Sequence, residues 1–385
     1  MNLNDLKHRM AALAQHDGRL ALFGATMHGW RSTPVSAEVV EAYERRHGLR
    51  LPEAYRQWIT QVGVGAGPFY GLEGLDAEDL RPGRPFPHEG PYEGAALPAG
   101  VDAIDGTALL SSQGCGYYDR LVLRGAHAGE VWVDLREGEG PLALWYPSFE
   151  AWIEAWLLRS EAEWAVEYLA DEGADAEAGF AEVSRAAVAR VLAGVDDPMQ
   201  AQYPLPVDKL WQASARFCLA AGDLVGAEAA FESAALASRE PDGVRAVGQC
   251  ALARVRGDDA GRLAAAAAGL ASNVWWSTKK RLLIEQIDAL ECLERWDEAF
   301  AARIELAQHD RGNLHARYDV AWIYLLRNQA AEAAAWLREA AVAGVGCNRE
   351  DSLEVRVAQV AAGLTEALRG SGQPELAAAL EAALA

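Results

Sequence analysis

Beyond Glu161 the chain becomes a run of Ala-, Leu- and Glu-rich stretches broken at near-regular intervals, and this periodicity limits the fold more than any other feature. Gly222, Gly257, Glu294 and Asn328 mark breaks 35, 37 and 34 residues apart. A recurring unit of that length is one helical hairpin, which cannot bury its apolar face alone and gains a core only by stacking on its neighbours. After the breaks, Ala227 with Phe231 and Ala234, Ala299 with Arg303 and Leu306, and Ala333 with Leu337 and Ala340 repeat a small, large, small pattern along one helix face. The stretch near Gly257 keeps the spacing but not the pattern. A final pair turning between Gly370 and Pro374, before Leu376, Leu380 and Leu384, is expected to cap the stack.

The first part of the chain has a different texture. Leu3, Leu6, Met10, Leu13 and Leu20 predict an amphipathic helix over residues 3 to 22, broken at Gly24. A second helix starts at the Ser36 cap, presents Val39, Val40 and Tyr43, and stops near Gly48. A third opens with Pro52 in its first turn and carries Tyr55, Trp58, Ile59 and Val62 inward. Gly and Pro then punctuate short apolar runs, and residues 108–111, 121–123 and 130–135 read as antiparallel strands, the last two joined by a hairpin over 125–129. Ser148 caps a closing helix with Phe149, Trp152, Ile153, Trp156 and Leu157 on one face. The expected organisation is an α+β domain over residues 1–160 and an all-α solenoid over residues 161–385.

Five motifs in order carry a family resemblance: Leu51-Pro52-Glu53-Ala54-Tyr55-Arg56; the run from Gly65 through Gly67, Pro68, Phe69, Tyr70 and Gly71 to Leu72; Gln113-Gly114-Cys115-Gly116-Tyr117-Tyr118-Asp119; Gly129-Glu130-Val131-Trp132-Val133-Asp134; and Ser148-Phe149 with Trp152 and Trp156. Residues 23 to 158 thereby resemble the SUKH superfamily (SMI/KNR type). The resemblance implies an antiparallel sheet flanked by helices and a non-enzymatic role: similar domains occur as bacterial immunity proteins that neutralise cognate toxins and in fungal cell-wall regulators. Pro52, Gly67, Pro68, Gly71, Gly114, Trp132, Asp134, Trp152 and Trp156 are its motif residues, expected to be structural. The hairpin array resembles tetratricopeptide (TPR) repeats.

Charge narrows the partners. Thirty-five Lys and Arg stand against 56 Asp and Glu, a net charge of -21, which repels phosphates and anionic headgroups and attracts basic surfaces. Nucleic acid and membrane are therefore not expected partners. Split at Ser160, the first part carries -7 and the remainder -14. Glu73, Asp76, Glu78 and Asp79, with Glu89 and Glu93 in the following Pro-rich segment, form the candidate partner-binding cluster for a basic protein. The opening residues mix charges among apolar ones and do not read as a signal peptide, and the five cysteines are scattered, so a soluble cytoplasmic protein with reduced thiols is expected.

No catalytic constellation is complete. Gly63, Gly65 and Gly67 follow a predicted helix instead of a strand, unlike a dinucleotide loop. Cys115 between two glycines reads as a small buried thiol, and Asp119 and Asp134 as turn or hydrogen-bonding residues before an acid–base pair. Histidine spacing offers no metal site and no phosphate-binding loop is present. Trp275 and Trp276 predict one ring in the core and one partly exposed. The expectation is a non-enzymatic protein with no cofactor and no metal: an immunity-type inhibitor of a basic toxin domain, or alternatively a scaffold or adaptor using its helical array.

Overall fold

A computed structural model describes residues 2–75, 81–170, 178–194, 197–310, 312–348 and 351–385. The chain forms two compact units, residues 1–221 and 222–385, with mixed α+β structure in the first and helices in the second. The division therefore falls well past the expected boundary at Ser160, which lies inside a helix.

The first unit opens with α1 (Leu3–His16), shorter than its apolar spacing predicts. The Asp17 carboxylate stops it, accepting from Ala21 N at 2.7 Å, Trp30 Nε1 at 3.0 Å and the Tyr168 hydroxyl at 2.7 Å. These contacts hold the chain in a turn that no continuing helix could make. The single turn α2 (Ala25–His28) and β1 (Ser32–Thr33) follow. Ser36 caps α3 (Ala37–His47), which ends at the left-handed Gly48. Pro52 sits at the N-cap of α4 (Glu53–Gln61), one position earlier than predicted, and β2 (Val64–Gly65) returns to pair with β1.

The main sheet has four antiparallel strands in sequential order: β3 (Thr107–Gly114), β4 (Tyr117–Val122), β5 (Val131–Asp134) and β6 (Leu142–Tyr146). β3 and β5 contain or fill most of the predicted runs 108–111 and 130–135, β4 shares only Leu121 and Val122 with the predicted run 121–123, and β6 was not expected. Alternation along the strands loads both faces. Leu121, Val131 and Val133 join Tyr55, Trp58 and Ile59 of α4 and Phe149, Trp152 and Ile153 of α5 (Phe149–Trp164), whose Ser148 cap forms as predicted. Val122, Trp132 and Leu142 meet Phe86, Ala103 and Ile104 on the opposite face. Those last three come from the Pro-rich strap of residues 81–106, which is pinned by Tyr92 N to Leu142 O at 2.8 Å and Leu142 N to Tyr92 O at 2.9 Å. After a π-helical stretch (Ala165–Ala170), α6 (Ala178–Leu192), α7 (Pro198–Gln202) and α8 (Val207–Ala220) complete the unit. Met199, Leu205, Leu210 and Phe217 are buried in the helix-side core, which explains why the unit does not end at Ser160.

The later boundary also redistributes charge. Residues 1–221 carry -14 and residues 222–385 carry -7, so most of the acid belongs to the α+β unit and not to the helical one.

The second unit consists of α9 (Leu224–Ala237), α10 (Pro241–Arg256), α11 (Asp259–Leu270), α12 (Trp276–Cys292), α13 (Trp296–His309), α14 (Leu314–Leu326), α15 (Ala330–Val342), α16 (Leu353–Gly370) and α17 (Pro374–Leu384). Gly257, Glu294 and Asn328 fall between helices with positive φ, as do Gly222 before α9 and Gly372 before α17, so the spacing read from sequence marks real helix ends. Ala227, Phe231 and Ala234 are buried, as are Ala333, Leu337 and Ala340, whereas Arg303 and Leu306 are only half-buried. Among the described residues no helix is long and apolar enough to cross a membrane.

An ion network ties three of these helices together. Arg262, 4% exposed, donates to Glu285 Oε2 at 2.6 Å and to Asp288 Oδ2 at 2.8 Å, and Arg254 donates to the other Glu285 oxygen. Removing Glu285 leaves the buried Arg262 with only the half-exposed Asp288 for a partner, and breaking a buried ion pair from one side costs several kcal/mol. Glu285→Ala is therefore expected to destabilise the helical unit by about 3 kcal/mol in chemical denaturation. Reversal of the exposed Asp297, which is 93% accessible where it pairs with Arg327, should cost less than about 1 kcal/mol.

Candidate protein-binding face

Two of the sequence motifs meet although some forty residues separate them. The loop after β2 and the β3–β4 hairpin interlock: Ser111 Oγ donates to Pro68 O at 2.7 Å, and Tyr70 N donates to Ser112 O at 3.2 Å. Gly114, at φ +85°, lies under the Tyr70 ring, where an added Cβ would stand 2.6 Å from the hydroxyl. On the other side Gly24, at φ +84°, passes so close that a Cβ would overlap Phe69 O at 1.6 Å. Gly67 and Gly71 pack against the backbone of Leu72 and Gly65 in the same loop. Only glycine fits at such crossings.

Phe69 itself has φ +54°, a region that costs a bulky residue about 1–2 kcal/mol. Its packing offsets this. The ring is 4% exposed, stacks on Trp145 at 5.9 Å, and meets Tyr203 at 5.4 Å and Phe23 at 5.9 Å, both edge-on. Outward from this anchor stand Phe23 at 47% and Tyr70 at 42% exposure, their rings 6.3 Å apart, with the exposed Cys115 at φ +53° on the hairpin tip. An exposed aromatic pair on an over-determined backbone has the composition of an interface centre.

A polar chain runs beneath it. Gln113 Nε2 donates to Asp119 Oδ1 at 2.6 Å, and Gln113 Oε1 accepts from the Tyr203 hydroxyl at 2.7 Å. Gln202 Nε2 donates to the same Tyr203 hydroxyl at 3.2 Å. Asp119 has no solvent exposure. Burial pushes its carboxyl well above the usual range, against the opposing pull of the Gln113 amide and the Trp152 indole.

Asp134 lies on the opposite face of the sheet, where the Tyr118↔Asp134 and Asp119↔Val133 pairing places it. It is therefore not the acid–base partner of Asp119. Arg120 Nε donates to it at 2.9 Å and Arg136 Nε at 2.7 Å. Burial pushes the Asp134 carboxyl up, but hydrogen bonds from Arg136 and Arg120 outweigh it and hold the pKa below the usual value. Trp132, also on the strap side, donates to Glu130 Oε2 at 2.9 Å and packs edge-on against Phe86. Trp152 and Trp156 are buried, Trp156 stacking on Trp30 at 6.0 Å.

Of the expected acidic cluster, Glu73, Glu89 and Glu93 lie among the described residues. Glu73 is exposed beside β3, its N–H bonded to Leu110 O at 2.7 Å. Glu89 faces His127 of the β4–β5 hairpin at 3.5 Å, and Glu93 is exposed on the strap. Asp76, Glu78 and Asp79 lie outside the described residues. Cys115 is exposed where a buried thiol was expected. Among the described residues no cluster of three or more His, Cys, Asp or Glu could hold a metal ion. The face residues Phe23, Gln202 and Tyr203 were missed, because nothing local in sequence links them to the motifs.

The helical unit offers separate grooves. One of about 830 Å³ between α15, α16 and α17 is lined by Val342, Leu353, Val357 and Ala361 and edged by Arg338, Arg369 and Glu381. Another of about 670 Å³ lies along α11, α12 and α13. Trp275 is 63% exposed, while Trp276 is half-buried beside His309 at 5.4 Å. Compared with protein-family models, curated proteins and solved structures, the chain matches none.

Asp119 generates a pH prediction. A carboxyl raised by folding contributes fully below its unfolded pKa of about 3.9 and loses that contribution as pH rises through the folded value. Asp119→Asn should therefore be more stable than the wild type at neutral pH, by about 1 kcal/mol or more, with the difference closing toward about pH 4. Urea unfolding at the two pH values checks both the sign and the convergence.

Proposed function

We propose that this chain is a non-enzymatic protein-binding protein, an immunity-type inhibitor that blocks a cognate basic toxin through its α+β unit. The single observation that carries the reading is the meeting of the Pro68–Leu72 and Gln113–Asp119 motifs under the exposed aromatic pair of Phe23 and Tyr70. The motif order and the helix-flanked antiparallel sheet support a SUKH-type assignment for this unit. Its charge of -14 over residues 1–221 favours encounter with a basic surface inside the cell, while the aromatic cluster provides the desolvated contact. Inhibition then needs only stoichiometric occlusion, with no cofactor and no turnover.

A second reading is favoured by the 830 Å³ apolar groove beside α16. In it the second unit is a TPR-like array that grips an amphipathic segment, and the chain is an adaptor. The two readings place the partner on different units.

The deciding experiment isolates proteins bound by the tagged full chain and by two variants, Tyr70→Glu and Val342→Glu. Immunity predicts one stoichiometric basic polypeptide, toxic when expressed alone and harmless beside this protein. Tyr70→Glu should then weaken binding at least about 30-fold, the effect of losing roughly 2 kcal/mol at an interface centre, and Val342→Glu should leave it intact. Several non-toxic partners lost only with Val342→Glu would sink immunity in favour of the adaptor.

A further inference from the structure

The Asp119–Gln113–Tyr203 chain contains an amide whose two ends are chemically opposite. In the arrangement seen, Gln113 donates inward to Asp119 and accepts outward from Tyr203, so the Tyr203 hydrogen is directed into the protein. The geometry suits an ionised Asp119, whose Oδ1 takes the amide hydrogen at 2.6 Å. The second oxygen, Oδ2, is buried without a hydrogen bond and belongs to a carboxylate flanked by the Trp152 indole, which can only donate.

A proton on Oδ1 faces the Gln113 NH2 group, and a proton on Oδ2 sits on an atom that has no hydrogen-bond partner among the described residues, so in that arrangement the acid's O–H is left unsatisfied. Turning the Gln113 amide by half a rotation removes the conflict. Its carbonyl then accepts from the Asp119 O–H, its NH2 donates to the Tyr203 oxygen, and the Tyr203 hydrogen is released. Gln202, which now donates to the Gln113 carbonyl at 3.4 Å and to the Tyr203 hydroxyl at 3.2 Å, loses the first of those acceptors.

We propose that Gln113 is a proton-coupled amide switch: binding of one proton at buried Asp119 reverses the hydrogen-bond direction of the chain and turns the Tyr203 hydroxyl from an inward donor into an outward one. No bond other than O–H is made or broken, and the proton comes from solvent. Because Tyr203 packs against Phe69, which anchors the exposed cluster, the switch alters the polarity of the proposed binding face; this consequence rests on that reading, whereas the switch itself does not.

The surroundings suit a proton-binding role. Burial raises the Asp119 pKa well above the ordinary carboxylate range. The ionisable groups facing it are phenols: Tyr146 of β6 and Tyr203 after α7, each with its own pKa pushed up, first by burial. Asp197 accepts from the Tyr146 hydroxyl, and Arg159 is occupied by Gln200 and the Tyr203 carbonyl. Cys115 and Tyr117 act on Tyr203 from the hairpin. None of these supplies a cation to Asp119, so its proton occupancy is set chiefly by burial against two neutral donors.

The test uses the free full-length protein carrying 13C-labelled Asp and Tyr, titrated by NMR from about pH 4 to about pH 8, with Asp119→Asn and Tyr203→Phe for assignment. The Asp119 carboxyl is expected to titrate in the folded state above the ordinary range, and the Tyr203 ring carbons to move with the same midpoint. Asp119→Asn should abolish both movements. Gln113→Leu should leave Asp119 titrating and silence Tyr203 completely, because a through-space effect of the charge survives that substitution and a relay does not. If Gln113→Leu does not fold, the direction of the wild-type bond decides instead: the scalar coupling across the hydrogen bond from the Gln113 NH2 nitrogen to the Asp119 carboxyl carbon must be present above the Asp119 midpoint and lost below it, and a coupling that persists below the midpoint overturns the switch. A Tyr203 that ignores Asp119, or still follows it in Gln113→Leu, overturns the switch. Binding is not read in this experiment, so its failure is separate from failure of the immunity reading, which the Tyr70 variant tests.

Discussion

The first unit depends on strand alternation across β4 and β5. Val131 and Val133 enter the helix-side core, while Trp132 between them enters the strap-side core beside Val122 and Leu142. The sheet thus separates two hydrophobic interiors, and a one-residue slip would exchange their contents. The same alternation fixes the polar residues. Asp134 falls on the strap side, where two arginines pair with it, and Asp119 falls on the helix side, where only neutral donors reach it. Two aspartates that look equivalent in sequence therefore have opposite pKa displacements, one held low by its cations and the other raised by burial.

From this partition follows the placement of the exposed cluster. The hairpin joining β3 to β4 brings Gly114 beneath Tyr70, and the helix-side core brings Trp145 and Tyr203 against Phe69. A left-handed Phe69 persists because its neighbours leave it no alternative position. Such stored strain is common where a surface must be presented rigidly. The helical unit is built differently: its helices pack chiefly on their chain neighbours, turn at left-handed residues such as Gly257 and Asn328, and are cross-linked by the Arg262–Glu285–Asp288 network.

Sequence reasoning succeeded where local chemistry decides. Ser36 and Ser148 cap their helices, and Gly222, Gly257, Glu294 and Asn328 fall at helix ends. It failed where distant contacts decide. The end of α1 is set by Trp30 and Tyr168 bonding to Asp17, which no 3.6-residue pattern reveals. The boundary was placed at Ser160 because the texture turns helical there, yet the helices that follow bury Met199, Leu210 and Phe217 in the first core. The strand β6, Leu142–Tyr146 between Pro141 and Pro147, is apolar at every position and so carries no alternation signal. Of the candidate site, Tyr70 and Gly114 were legible as motif residues, but Tyr203 reaches Phe69 and Gln113 only through the fold, and only the fold brings Glu89 to His127 of the β4–β5 hairpin.

The most direct measurement places a benzophenone photo-crosslinking amino acid at Tyr70, and separately at Val342, in the full chain expressed in its own host. The account predicts a single basic polypeptide joined one to one at position 70 and none at position 342. Adducts at 342 with nothing captured at 70 would contradict it, and would move the function from the α+β face to the helical groove.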